Sequence, residues 1–264
     1  MLTLIGRSFG RIAGLLAAIL GLLVAFQIAL IAVASSFTTA STLDRLVQIM
    51  PGFIQNAFGP ALPSFAGMTT IGYFHPVAVM LVVQFAIFLA TEPAGEIEAG
   101  LVDLVLARPL PRHWLVSRSL LVMTSCTVAA TLAMWLGTWL GLWSLAPQDA
   151  RWPDAHVVLM LTAHLAAVGW CFGAAALAAA AWARRRASAH ATVALAAVAL
   201  YLIDIVIESW PPAAPFARLS LFHYFHGAAI LRGTANSVLD LSVLGAIALT
   251  GIALAYWKFH TRDL

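Results

Sequence analysis

The sequence predicts an all-α integral membrane protein of six transmembrane helices, with a cytoplasmic amphipathic helix between spans two and three. Three observations predict it. The 264 residues are 62% hydrophobic and 9% charged, where soluble domains carry about a quarter charged residues. The mean hydropathy is +0.94. The basic residues stand at the ends of apolar runs rather than along a face with exposed aromatics, so the +3 formal charge points to membrane orientation and not to nucleic acid.

Residues 1–264 read as a single transmembrane domain. Met1–Arg11 is a short basic lead-in, expected as an interfacial helix. The first span, 12–34, is too long for a signal-peptide core of about 7–15 residues and suits a retained helix of about 20. A first long loop, 35–68, carries the helical stripe Leu43, Leu46, Val47, Met50 and is broken by Pro51, Pro60 and Pro63. Span two covers 69–91, with His75-Pro76 set to start or kink it. Span three covers 118–146 and ends near Trp143. Span four covers 156–183, the turn Arg184-Arg185-Arg186 leads into span five at 188–209, and span six covers 237–257. The loop 210–236 between the last two spans is apolar enough to dip back into the membrane, where protein or water must satisfy its backbone.

Arg7, Arg11, Arg108, Arg112, Arg118, Arg184, Arg185, Arg186, Lys258 and Arg262 fall on one side, ten of the fourteen Lys and Arg; Arg45, Arg151, Arg218 and Arg232 fall on the other. The positive-inside rule then makes both termini cytoplasmic, in an inner (plasma) membrane.

The segment Glu92–Arg112 is the longest polar interruption on that basic side. Ile97, Leu101, Leu104 and Val105 fall at i, i+4, i+7 and i+8, one apolar stripe. Glu96 and Glu98 are expected in the first turn and Arg108 in the last, matching the helix dipole, and Pro109 ends the helix.

The single lysine, Lys258, does not sit in Gly-x-x-x-x-Gly-Lys-Ser/Thr, so the chain builds no phosphate-cradling P-loop and a nucleotide would have to act through another subunit. The segment's order of residues resembles the permease subunits of type-2 ATP-binding-cassette (ABC) exporters. Their span-two to span-three segment has the form Glu…Gly…Leu…Leu-Ala-x-Pro-x-x-Arg, met here by Glu96 or Glu98, Gly100, Leu104, Leu106, Ala107, Pro109 and Arg112. Ser220-Leu-Phe-His-Tyr-Phe-His-Gly227 is similar to the family's Ser-Pro-x-x-Tyr-Phe segment, with Leu221 where proline is usual. Phe259-His-Thr-Arg-Asp-Leu264 is similar to its Phe-x-x-Arg-Asp-Leu tail.

The resemblance covers essentially the whole chain and implies a homodimer or heterodimer of permease subunits working with ATP-binding subunits. It implies an ATPase-coupling helix with Glu96, Glu98 and Asp103 on basic residues of that partner. Leu101, Leu104 and Val105 would lie in its groove or on the membrane, with Gly100, Arg108, Pro109 and Arg112 completing the motif. Arg112 and Arg118 have a plainer reading as orientation charges alone. No cofactor is implied, catalysis would reside in the partner, and the cargo is not specified by the architecture.

Other residues support weaker alternatives. Asp204 and Glu208 share a face of span five with Tyr201, about 27 Å from Arg186 along the helix, a possible substrate path or simply acids reaching outer water. They would also anchor an intramembrane enzyme with a histidine as partner. His75, His156, His223 and His226 fall at one outer level and His164 lies deeper, the residues a metal- or haem-binding subunit would use. Cys126 and Cys171 lie within spans as packing residues. Gln27, Gln84 and the small-residue run Gly173–Ala181 read as helix-packing features.

Overall fold

The computed structural model describes residues 2–36, 64–100 and 113–261. Among them, six helical stretches are long and apolar enough to cross a membrane, and no strand occurs. The first, α1 (Leu2–Ser36), has 35 residues and is about 52 Å long, well beyond the ~30 Å hydrocarbon thickness. The expected separate lead-in helix is therefore part of α1. No proline interrupts Leu2–Ser36, and the glycines at 6, 10, 14 and 21 have open space around them, so nothing bends the chain at the interface.

Span two is built from pieces. A short helix, α2 (Phe65–Thr70), runs into a 3-10 turn (Ile71–Tyr73), then α3 (Pro76–Ala90) and α4 (Glu92–Glu98). His75 and Pro76 start α3: the His75 ring accepts the Val77 N–H at 3.3 Å, and Pro76, which has no N–H to give, occupies the first turn. At the other end Thr91 joins α3 to α4, whose first turn contains Pro93.

Two boundaries differ from expectation. The polar helix begins at Glu92, which puts Glu96 and Glu98 toward its end, and it stops at Glu98 because Gly100 turns the chain at φ 65°. Ile97 is thus in the last turn of this helix, and the rest of the expected stripe falls beyond its end. Leu101, Asp103, Leu104, Val105, Arg108, Pro109 and Arg112 lie outside the described residues. Span three, α5 (His113–Leu145), starts five residues earlier than expected, placing Arg118 inside the helix.

The remaining spans match their predicted ranges closely: α6 (Ala155–Trp182), α7 (Arg186–Ser209) and α9 (Ser237–Thr261). Asp154 caps α6 by accepting the His156 N–H at 2.7 Å. Helix α6 is the most enclosed, packed against α3, α5, α7 and α9, and α7 is the least. Small residues permit these close crossings. A side chain at Gly137 or Gly141 would collide with Val24 and Gln27 or with Ile31 of α1, and Gly251 of α9 rests on Ala174 of α6. Gly173, within the predicted small-residue run, is covered by Met123.

The loop after α7 turns inward. Two 3-10 stretches (Pro211–Leu219 and Phe222–Tyr224) and a five-residue helix, α8 (Gly227–Leu231), lead to α9. Phe222 stacks on Phe172 of α6 at 5.4 Å and meets Tyr201 of α7 edge-on at 5.1 Å. Tyr201 is eight residues, about 12 Å, below the end of α7. The segment therefore enters the bundle, and its backbone is satisfied locally: His223, Tyr224 and Phe225 donate to the carbonyls three residues back, and Ser220 Oγ accepts the Phe222 N–H.

A buried charge network as candidate functional site

Glu92 and Glu96 are four residues apart on α4, so their carboxylates share one face. That face turns toward the bundle. Arg118 Nη2, from the second turn of α5, donates to Glu96 Oε2 at 2.6 Å; the two side chains are 7% and 9% exposed. Arg11, from α1, donates to Glu92 Oε1 at 2.5 Å and approaches Glu96 Oε1 at 3.6 Å, while its own side chain stays 57% exposed. Glu96 is thus held between two guanidinium groups.

A third arginine completes the arrangement from α7. The Arg186 N–H donates to Glu98 Oε2 at 2.9 Å, and Arg186 Nη2 donates to the Phe88 carbonyl at 2.9 Å. Its guanidinium carbon stands 4.5 Å from the centre of the Phe88 ring. Gly95 makes room for this side chain, since a Cβ there would meet Arg186 Cδ at 2.9 Å. Helix α4, seven residues long, is consequently tied to α1, α5 and α7 at once.

The energetics separate these contacts. The Arg11–Glu92 pair is open to water on its arginine side, with Arg11 57% and Glu92 13% exposed, and such a screened contact is worth about 0–1 kcal/mol. The Glu96–Arg118 pair is enclosed; forming it offsets its own desolvation, but removing one partner strands the other and costs about 3–5 kcal/mol. It therefore specifies how α4 docks on α5 more than it adds net stability.

Of the residues expected to face an ATPase, Glu96 is turned inward and buried, and Glu98 is exposed with its carboxylate on the α7 backbone. Gly100 forms the exposed turn after α4. Arg118, read as an orientation charge, is instead a buried ion-pair member. Sequence reasoning missed this because it began span three at residue 118; the available signal was Pro111, which favours helix entry just beyond it.

The Tyr201, Asp204 and Glu208 group lies toward the other end of the bundle. Tyr201 is half-buried against Phe222, Asp204 is half-buried on α7, and Glu208 is one turn further on. His223 and His226 meet edge to face at 4.8 Å, with a hydrogen bond between His226 Nδ1 and the His223 carbonyl. His75 is committed to the α3 cap. His164 is fully buried, its Nδ1 on the Met160 carbonyl at 2.7 Å and its ring over Phe225. Among the described residues no three His, Cys, Asp or Glu side chains gather as a metal site. Comparison with protein-family models, with curated proteins and with solved structures finds no match to this chain.

Proposed function

We propose that this chain is the membrane-spanning permease subunit of an ATP-driven exporter of the type-2 ABC class. In this reading it pairs with a second permease subunit, and a separate ATP-binding subunit docks on the arginine-rich end, facing the cytoplasm. The observation that carries the proposal is the attachment of α4, at the junction of spans two and three, to α1, α5 and α7 through Arg11, Arg118 and Arg186. A push delivered to α4 and the 99–112 segment would reach three further spans through short, directional contacts, which alternating access requires.

The roles divide accordingly. Glu98, Gly100, Leu101, Asp103, Leu104, Arg108, Pro109 and Arg112 form the docking segment. Glu96 and Arg118 act behind it as the link that converts docking into helix movement. With no P-loop in the chain, hydrolysis is assigned to the partner.

The test is co-expression with P-loop ATPase subunits of the same organism, starting with any encoded beside this chain, followed by affinity purification and ATPase assays in proteoliposomes. The pair should co-purify, and reversing charge at Glu98, Asp103 and Arg108 together should abolish co-purification while the permease stays folded. Glu96→Gln should leave the pair together but uncouple hydrolysis from transport. Transport undiminished without any ATPase, or an activity of the lone chain, would sink the proposal in favour of an intramembrane enzyme. A Soret band or stoichiometric metal in the purified protein would favour a haem- or metal-binding subunit.

A further inference from the structure

Two exposed tryptophans meet at the arginine-rich end of the bundle. Trp182, the last residue of α6, is 48% exposed, and Trp257, near the end of α9, is 61% exposed. Their rings lie 6.4 Å apart across the α6–α9 seam. Lys258 Nζ stands 5.9 Å from the centre of the Trp182 ring. Just beyond Trp182 come Arg184, Arg185 and Arg186, and these three arginines are not equivalent. Arg186 is committed to the bundle through Phe88 and Glu98, whereas Arg184 and Arg185 are exposed. Among the described residues no acid pairs with Arg184, Arg185 or Lys258.

We infer that this seam is a binding site for the headgroup of an anionic phospholipid. Indole rings prefer the depth of the glycerol and carbonyl groups, where an apolar face and one N–H donor are both satisfied. Lys258 over Trp182 fixes a cation at that level, and Arg184 and Arg185, exposed two and three residues beyond Trp182, are within a side chain's reach of the same phosphodiester. Leu254, 43% exposed and one turn before Trp257 and Lys258, offers an apolar surface for the acyl chain running down α9. Three cations with no acid partner among the described residues, one over a Trp ring and two close in sequence to it, complement a lipid that is negative at the headgroup and apolar below it. A zwitterionic lipid gains much less from them. The inference stands apart from the transport proposal, since it uses neither α4 nor a partner subunit.

Tryptophan quenching tests it. The purified protein is reconstituted in phosphatidylcholine vesicles doped, at equal mole fraction, with either phosphatidylglycerol or phosphatidylcholine brominated near the headgroup. Because the chain has nine tryptophans, Trp182→Phe/Trp257→Phe is measured in parallel and subtracted. Brominated phosphatidylglycerol should quench the Trp182 and Trp257 component several-fold more effectively than brominated phosphatidylcholine. Arg184→Gln, Arg185→Gln and Lys258→Gln should each lower that preference, by up to about fivefold per cation. Equal quenching by the two lipids, or a preference unaffected by the double Phe variant or the Gln variants, would overturn the inference. Should a Gln variant fail to fold, salt decides on the wild-type protein: the preference should collapse at about 1 M NaCl, and its persistence there would count against the site.

Discussion

At its arginine-rich end, span two reaches α1 and α5 through Arg11–Glu92 and Arg118–Glu96. At its far end it reaches the same two helices through neutral groups: Gln27 Nε2 donates to the Thr69 carbonyl at 2.7 Å, and the Tyr73 hydroxyl pairs with Thr138 Oγ1 at 2.7 Å. Both ends depart from a plain helix, one at Thr91 and one at the 3-10 turn before Pro76. Both departures bring backbone or side-chain polar groups into reach of neighbours. Neutral bonds carry little long-range field, so salt or an approaching charged surface hardly alters them. The charged end is open to both influences at Arg11, while the enclosed Glu96–Arg118 pair behind it is screened little by salt. The far end is thus suited to be a fixed pivot and the arginine-rich end to be the responsive one.

The sharpest way to break this contrast is Glu96→Ala. It leaves Arg118 enclosed without its carboxylate, and thermal unfolding of the detergent-purified protein should report a loss of about 3–5 kcal/mol. Glu96→Ala/Arg118→Leu should recover most of that loss, since no charge is then stranded. Wild-type stability in Glu96→Ala would mean the pair is hydrated after all and the two ends are alike.

Next in size is Gly72→Ala. A Cβ at residue 72 would sit 2.0 Å from Gln27 Oε1, so the neutral end should lose about 1–3 kcal/mol by overpacking. Adding Gln27→Ala should return part of it, and additive losses in the double variant would count against direct contact.

Tyr73→Phe is expected to be milder, about 0.5–1.5 kcal/mol. The Thr138 hydroxyl keeps its bond to the Met134 carbonyl at 3.0 Å, so no donor is stranded there.

The smallest effect belongs to Arg11→Ala, at most about 1 kcal/mol at low salt and nothing measurable near 1 M NaCl. A salt-resistant loss at Arg11 would move the boundary between hydrated and enclosed charge out to α1.

Legibility in the sequence followed the range of the interactions involved. The number of apolar helices and the bounds of the last three could be read closely because hydropathy over about 20 positions is a local property. The first three begin four to ten residues before their expected starts. His75-Pro76 announced a helix start because a capping ring and a proline without an N–H act on their own turn. Gly100 announced a stop less plainly. Its left-handed backbone ends the helix that carries Glu96 and Glu98, a stop that the apolar spacing of the segment did not announce. The loop 210–236 showed its apolar character in the sequence, but not that Phe222 would settle between Phe172 and Tyr201.

By itself, then, the sequence determined six helices long and apolar enough to cross a membrane, the placing of most of its arginines at the ends of apolar runs and the lack of a P-loop motif in these 264 residues. The tertiary structure alone decided that Glu96 points inward to Arg118 and Arg11, that Arg186 is committed to the bundle, and that Lys258 lies over Trp182, while Arg184 and Arg185 have no acid partner among the described residues. The reason is physical. Hydropathy and turn chemistry act over neighbouring residues, whereas the state of a charge depends on which groups, many residues away along the chain, enclose and pair with it.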